Sequence, residues 1–517
     1  MTINAKREKV EMSHKNFMNG KSYNVSPFIR LQMVAASCFM GEPQYYKKAG
    51  TKYSTIEYIE KVLGSHSTND WKGLNSVEII EKTIDECLSI DVEKTLIIAE
   101  SLRVEDYMRE TPQVILVRAA VHKNQKGTGL VNKYGLRICI RGDEPATGLA
   151  YLLKAFGRKS IPNSLKKVWK SVLESLTDYE IAKYKMGSRE VRTIDVVRIC
   201  HANSASINKL MSGNAKEFNT YRSIISNSDN STSEAREINW RKVVEKSGHM
   251  ALLRNIRNFV KNGIPVSYFS NKLKNGVLEG KQFPFRYYNA MIENNGNGYV
   301  KNCLEECMDI AINNMPKFEG RVMSLCDNSG SATSSKLSTL GNTSVSTVAN
   351  LMGIITAKCF SKGGQLGLFG DKLSIDDVNP SRGVLSTLQT IEEKSRWVGG
   401  GTEHGAWLFW DYATKNNEHY DYVFVYSDMQ AGHGGLYGSD NSYINYIYPG
   451  TRNYIDIPKL ISEYRKKVNP NVKVFLVQVA GYEDTLIPEF YKNTYILGGW
   501  SENILKFAKK MEQIKQY

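Results

Sequence analysis

Long apolar runs are missing from this 517-residue chain: no eighteen consecutive apolar residues occur, which excludes a conventional membrane-spanning helix. The N-terminus, Met1-Thr-Ile-Asn-Ala-Lys-Arg-Glu-Lys9, puts no apolar core after its charges, so no secretory leader is expected and the cytoplasm is the expected compartment. Cysteine is sparse. The eight thiols are scattered or sit inside apolar runs (Cys139, Cys200, Cys326), which argues against a disulfide frame and for buried, reduced side chains. Cys303 and Cys307 share a helix face at i, i+4 spacing, but no His or second Cys pair accompanies them, so zinc is not expected. The glycine-rich Gly432-His-Gly-Gly-Leu-Tyr-Gly438 lacks the Gly-Lys-Ser/Thr of a phosphate loop and suits close backbone approach instead. Glu403-His404 could pair as a general base, yet no nucleophile or second metal cluster is evident, and no catalysis is expected. Arg141-Gly-Asp143 spells an adhesion tripeptide without an export signal and carries no weight.

What is present is positive charge, unevenly placed. The net charge is +15, and up to Pro316 there are 47 Lys and Arg against 33 Asp and Glu, whereas beyond it there are 21 against 20. Residues 121–290 alone hold 30 basic and 13 acidic side chains. A lysine-rich composition colouring every surface would not leave the C-terminal part neutral, so the basic middle points to a polyanion, with nucleic acid preferred.

The length suggests two or three domains. From about Thr55 to Cys307 apolar residues recur at three and four spacing, the helical period. Ser76 to Cys87 is an example, with Ser76 a candidate N-cap, Glu78 and Glu81 in the early turns, and Val77, Ile80, Ile84 and Cys87 on one face. Helices led by Asp91 (Val92 to Leu102) and by Thr111-Pro112 (Val114 to Val121) follow. Helix pairs of roughly forty residues resemble a HEAT-type α-solenoid, without a strict sequence repeat. Ser226 to Ser233 reads as an exposed loop between helices. After Pro316 the pattern becomes buried strands (Arg321 to Cys326, Tyr422 to Ser427, Val472 to Val479, Thr494 to Leu497) alternating with helices such as Val345 to Cys359 and Lys459 to Val468. That alternation predicts a doubly wound parallel sheet. The fold class is therefore multidomain, α and α/β, divided as 1–316 and 317–517.

The sharpest motif is Asp327-Asn328-Ser329-Gly330-Ser331, directly after the first strand. Thr402 in the turn Gly399-Gly-Gly-Thr402 and Asp428 at the end of the second strand add oxygen donors, a set that suits a hard cation, magnesium or manganese. Taken alone, D-x-S-x-S is more often an ordinary Asx or Ser turn. With the Thr and Asp in order, it resembles the metal-ion-dependent adhesion site of von Willebrand factor A domains. That resemblance implies Ser329, Ser331 and Thr402 facing the ion, Asp327 and Asp428 partly through water, and an acidic residue of a partner completing the shell.

Three segments of the helical part carry the densest basic signals: Phe156-Gly-Arg-Lys159 with Ser164 to Lys170, Ala182-Lys-Tyr-Lys185 leading to Val196 to His201, and Met250 to Phe259. Together with the A-like C-terminal part they resemble the Ro autoantigen, or TROVE-module, family over almost the whole chain. The resemblance implies a monomer closed into an intramolecular ring of HEAT-like helices and an A domain. It further implies non-catalytic binding of single-stranded 3′ ends of misfolded or small non-coding RNAs, with Y-like structured RNAs on the basic outer face, in RNA quality control or as a scaffold. An exoribonuclease is an expected partner. Lys183 and His201 match family RNA-contact positions. Arg189 stands near a family arginine with the spacing off by one residue, and Asp143 to Pro145 departs from the family pattern. The candidate RNA-binding set is Lys133, Arg137, Arg158, Lys166, Lys170, Lys183, Lys185, Arg189, His201, Arg254 and Arg257, with Tyr184 and Trp169 able to stack on bases. His201 reads either as an RNA contact or as a hydrogen-bonded core histidine. The competing function is a divalent-metal-dependent protein-interaction module built on the A-like part.

Overall fold

The computed structural model describes residues 12–15, 21–23, 26–37, 76–157, 161–184, 190–213, 221, 224–225, 231–294, 297–334, 343–401, 405–428, 457–479, 493–499 and 501–513. A small antiparallel pair, β1 (Met12–Lys15) and β2 (Lys21–Tyr23), precedes the helices and was not expected from the sequence. Ser76–Ile90, Thr111–Val121, Glu144–Phe156 and Thr193–Cys200 form one row of stacked helices; Val92–Val104, Leu130–Ile138 and Asn163–Glu174 form a second row against it. Local signals explain the helix starts. Asp91 accepts the Lys94 N–H at 2.9 Å as an N-cap, and Pro112 sits in a first turn, where its missing N–H costs nothing. Ser76 is the first residue of its helix rather than the cap before it.

Side chains tie the first helix of each row to its counterpart one repeat on. Arg118 donates to Asp85 at 2.8 Å, Lys133 to Glu93 at 2.6 Å and Arg137 to Glu100 at 3.4 Å, across sequence separations of 33, 40 and 37 residues. The apolar faces close between the rows: Ile80, Ile84, Leu96, Val117, Tyr134, Trp169 and Leu173 are all buried.

The C-terminal sheet comprises β3 (Val322–Asp327), β4 (Gly364–Phe369), β5 (Leu373–Val378), β6 (Tyr422–Ser427), β7 (Lys473–Gln478) and β8 (Thr494–Gly498), in the order β5-β4-β3-β6-β7-β8. It corrects the all-parallel expectation, because β5 runs antiparallel to β4. Only residues 370–372 join them, far too few for the crossover that a parallel pair needs. β3 and β6 are buried at every residue, as strands covered on both faces must be. The helix Val345–Lys358 packs on β3, β4 and β6, and it approaches so closely that a Cβ at Gly364 would lie 2.7 Å from the Ala357 Cα. The Phe424, Phe475 and Tyr495 rings stack across β6, β7 and β8 at 4.6 and 5.0 Å.

Both ends of the helical stack reach this sheet. At the front, Pro27–Ala36 packs on β8, on the helix Glu502–Gln513 and on Ser76–Ile90; the Gly498 N–H donates to Ser37 Oγ at 3.1 Å. At the back, Gly298–Ala311 packs on Val384–Ser395. There Glu305 accepts from the Ser386 N–H at 2.9 Å and Asp309 from the Val384 N–H at 3.2 Å, placing two carboxylates where that helix has unmet donors and the positive end of its dipole. Front and back also meet each other, since the Tyr107 ring has Lys281 Nζ 4.4 Å and Lys506 Nζ 4.2 Å from its centroid. No helix among the described residues is long and apolar enough to cross a membrane.

Candidate metal crevice and nucleic-acid interface

The strand order reverses between β3 and β6: the chain first builds outward through β4 and β5, then on the opposite side through β6, β7 and β8. Such a switch opens a crevice beyond the carboxyl ends of the two central strands. Asp327 ends β3 and Asp428 follows β6, so both stand at that crevice, and both are fully buried. Asp327 Oδ1 accepts from the Ser329 N–H at 3.0 Å and Oδ2 from the Ser427 hydroxyl. The Ser329 and Ser331 hydroxyls lie 3.1 Å apart. The loop is fixed from behind, because the Asn328 N–H donates to the Phe369 carbonyl at 2.8 Å and its side chain exchanges amide bonds with Asn350 at 3.0 and 2.9 Å.

The Gly399–Gly401 turn docks onto this loop. The Gly330 N–H donates to the Gly400 carbonyl at 2.7 Å, while Asp371 accepts from the Gly400 and Gly401 N–H groups at 3.0 and 2.9 Å. The turn thus delivers the chain to Thr402, which lies outside the described residues, as do Glu403, His404 and Gly432 to Gly438. Asp371 was missed in the sequence, where its only signal is an acidic residue after Gly370 between two apolar segments.

Burial, and then the neighbouring Asp428 carboxylate, push Asp327 well above the usual carboxylate range. Two buried, mutually repelling carboxylates beside two convergent hydroxyls fit a hard divalent cation, whose charge would relieve the repulsion. Among the described residues no group of three or more His, Cys, Asp or Glu could hold a metal, so this mixed carboxylate and hydroxyl set is unlike a zinc cluster. Cys303 and Cys307 are buried in the core, like the other described cysteines.

The basic candidates divide by what they touch. Lys133, Arg137 and Lys170 are in ion pairs, with Glu93 at 2.6 Å, Glu100 at 3.4 Å and Glu174 at 3.8 Å. Hydrogen bonds from Lys133 and Tyr134 hold the Glu93 carboxyl below its ordinary range. Exposed pairs of this kind are worth little in water, so Lys133 and Arg137 are shared with the neighbouring helix, and Lys170 with its own, rather than lost to the partner carboxylate. Lys166 is half-buried on the face toward Cys200. Arg254 and Arg257 are exposed on the helix His249–Lys261, whose other face buries Leu252, Leu253, Ile256 and Phe259. Lys183 is exposed and makes no ion pair among the described residues. Arg158, Lys185 and Arg189, like most of the expected Ser226 to Ser233 loop, lie outside the described residues.

Two expectations change. His201 is exposed, ending the helix Thr193–Cys200 in the left-handed conformation (φ 51°), which rules out the core reading. Trp169 is fully buried with Gly148 packed against its indole, so it cannot stack on a base.

Fold and crevice together define the class: a helical stack joined at both ends to a mixed sheet with a carboxylate-lined switch crevice. The chain matches no family model, and no curated protein matches its sequence. Its fold is similar to that of the Ro (RSR) protein of Deinococcus radiodurans, known from a crystal structure: the TM-score is 0.64, with 94% of this chain and 100% of that one covered, at 14% identity. At that identity the likeness establishes a Ro-like fold over nearly the full length.

Proposed function

We propose that this chain is a Ro-like RNA-binding protein. The observation that carries the reading is the fold likeness to the Deinococcus Ro protein over 94% of the chain. The charge distribution supports it independently, because the excess of cations lies in residues 121–290, within the helical part, and Lys183, Arg254 and Arg257 stand on its surface. On this reading the helical stack and the A-like sheet form an intramolecular ring, supported by the contacts of Pro27–Ala36 and Gly298–Ala311 with the sheet part. The ring binds unpaired 3′ ends of misfolded or small non-coding RNAs, takes structured RNAs on its basic face, and performs no catalysis. Magnesium is the proposed occupant of the Asp327 crevice, held by Asp327, Ser329, Ser331, Thr402 and Asp428.

A second reading, a metal-dependent grip on an acidic residue of a protein such as an exoribonuclease, is favoured by one observation: the buried Asp327 and Asp428 pair at the switch crevice. The deciding experiment is to isolate the protein from its native cells and sequence the ends of copurifying RNA, with and without a high-salt wash. Small RNAs with unpaired 3′ tails, released by salt, are expected, since several phosphate contacts give a log–log salt slope of several units. A protein retained only with magnesium, with no enriched RNA, would overturn the RNA reading in favour of the second.

A further inference from the structure

One cluster on the helical part combines an exposed aromatic ring with two cations and a second, packed ring. In the helix Asp178–Tyr184, Tyr179 and Lys183 are one turn apart and so share a face. Tyr179 is 48% exposed. Lys183 Nζ lies 5.9 Å from the Tyr179 ring centroid and 5.1 Å from that of Tyr184. The far neighbour is Arg141, whose guanidinium stands 5.0 Å from the Tyr184 ring and is held in a fixed plane by two bonds to Asp143, 3.0 and 2.9 Å long. Tyr184 is itself immobilised, since its ring packs against Gly142 so tightly that a Cβ there would lie 2.9 Å from Cδ2. Its carbonyl also accepts from the Thr193 hydroxyl.

Lys133 and Arg137 are matched to carboxylates on a neighbouring helix. Here Lys183 lies beside two aromatic rings, and the nearby Glu180 carboxylate is taken up by the Thr177 N–H and hydroxyl at 2.9 Å each. An exposed ring beside a cation that makes no ion pair among the described residues suits one ligand class better than any other. A base needs a flat apolar face, and its phosphate needs a positive charge a few ångströms away. A duplex hides its base faces in the stack and could use only Lys183; an acidic peptide would leave the Tyr179 face uncovered.

We infer that Tyr179, Lys183, Tyr184 and Arg141 form a subsite for one unpaired nucleotide, with the base stacked on Tyr179, the phosphate on Lys183, and Tyr184 and Arg141 fixing the lysine's position. The inference rests on the RNA-binding reading and adds Tyr179, a residue outside the sequence-predicted set, as the element that distinguishes unpaired from paired RNA.

The test uses the full chain and a fluorescently labelled ten-nucleotide single-stranded RNA, with the same sequence as a blunt duplex for comparison. Tyr179→Ala is expected to weaken single-strand binding by about tenfold to a hundredfold, the usual effect of removing one stacking ring, and to leave the duplex and the salt slope unchanged. Tyr179→Phe is expected to bind like the wild type. Lys183→Ala is expected to weaken both ligands and lower the salt slope by about one. Because Tyr179 is exposed, unchanged melting temperatures will certify the variants. Wild-type binding by Tyr179→Ala, or equal losses on single strand and duplex, overturns the subsite while leaving the RNA reading intact. A wild-type chain that binds neither RNA overturns both.

Discussion

Lys510 donates to Asp106 at 2.6 Å across a sequence separation of 404 residues, joining the last helix to the start of the helical stack. Neither partner is well solvated: the side chains are 18% and 7% exposed. Burial raises Asp106 above its ordinary carboxylate range, although the Lys510 and Lys506 ammoniums counter it. Lys506 stands beside them, 8% exposed, over the Tyr107 ring. The contact is thus an electrostatic clasp between two parts of the chain that no local motif connects.

Removing one side of such a clasp leaves buried charge uncompensated. Asp106→Ala is expected to cost roughly 2–4 kcal/mol of stability, and Asp106→Asn combined with Lys510→Met less than the sum of the single losses. Solution scattering should show a larger radius of gyration for Asp106→Ala as the front of the stack parts from the sheet. An unchanged radius together with strictly additive losses would show that the pair holds nothing together.

The exposure of His201 makes a separate outcome testable. Because neither Lys183 nor His201 is packed in the core, Lys183→Ala combined with His201→Ser should leave stability within about 0.5 kcal/mol of wild type. RNA affinity should fall at least tenfold in an electrophoretic or anisotropy titration. A collapse in melting temperature would mean that the left-handed turn at His201 needs its imidazole.

How much of this was legible in the sequence depends on whether the signal was local. Tyr422–Ser427 was readable to the residue because five consecutive β-branched or aromatic residues, closed by Ser427, suit a central strand buried on both faces. Gly364–Phe369 was not, because its two glycines, required by close helix packing and by Leu325, erase the apolar pattern; with it went the hairpin partner Leu373–Val378. The D-x-S-x-S motif located the crevice, but Asp371, which fixes the Gly399–Gly401 turn, acts through backbone groups that no motif encodes. Burial also divides the candidates unevenly: Trp169 and His201 both sit at ends of apolar runs, and only the fold shows one inside and the other outside.

Magnesium should report directly on the crevice. If the ion relieves the repulsion between Asp327 and Asp428, millimolar magnesium will raise the melting temperature of the sheet part and EDTA will lower it, since a ligand bound only by the folded state stabilises it. Asp327→Ala should abolish the magnesium increment, and Gly399→Ala should weaken it. Gly399 has φ 82°, and a Cβ there would lie 2.2 Å from the Asp371 carboxylate, so the turn that leads to Thr402 would be displaced. An increment of wild-type size in Asp327→Ala would place magnesium somewhere else.

His249 begins the helix His249–Lys261 and bonds through Nε2 to the Tyr287 hydroxyl at 2.7 Å. Gly276 and Gly280 pack against its ring, where a Cβ at Gly280 would lie 2.4 Å from Cδ2. Burial lowers His249 from its ordinary value of 6.5, so the folded chain prefers the neutral ring. The unfolded chain takes up the proton first, so the contribution of His249 is complete above pH 6.5 and is lost as the pH falls through the lowered folded value. Urea midpoints measured at pH 7.5 and pH 5 should therefore drop more for the wild type than for His249→Gln, which cannot titrate. Gly280→Ala should be destabilising by roughly 1–3 kcal/mol at both pH values, because it crowds the ring whatever its charge. Equal pH dependence in the wild type and His249→Gln would mean that the ring can reach water and protonate without leaving its place.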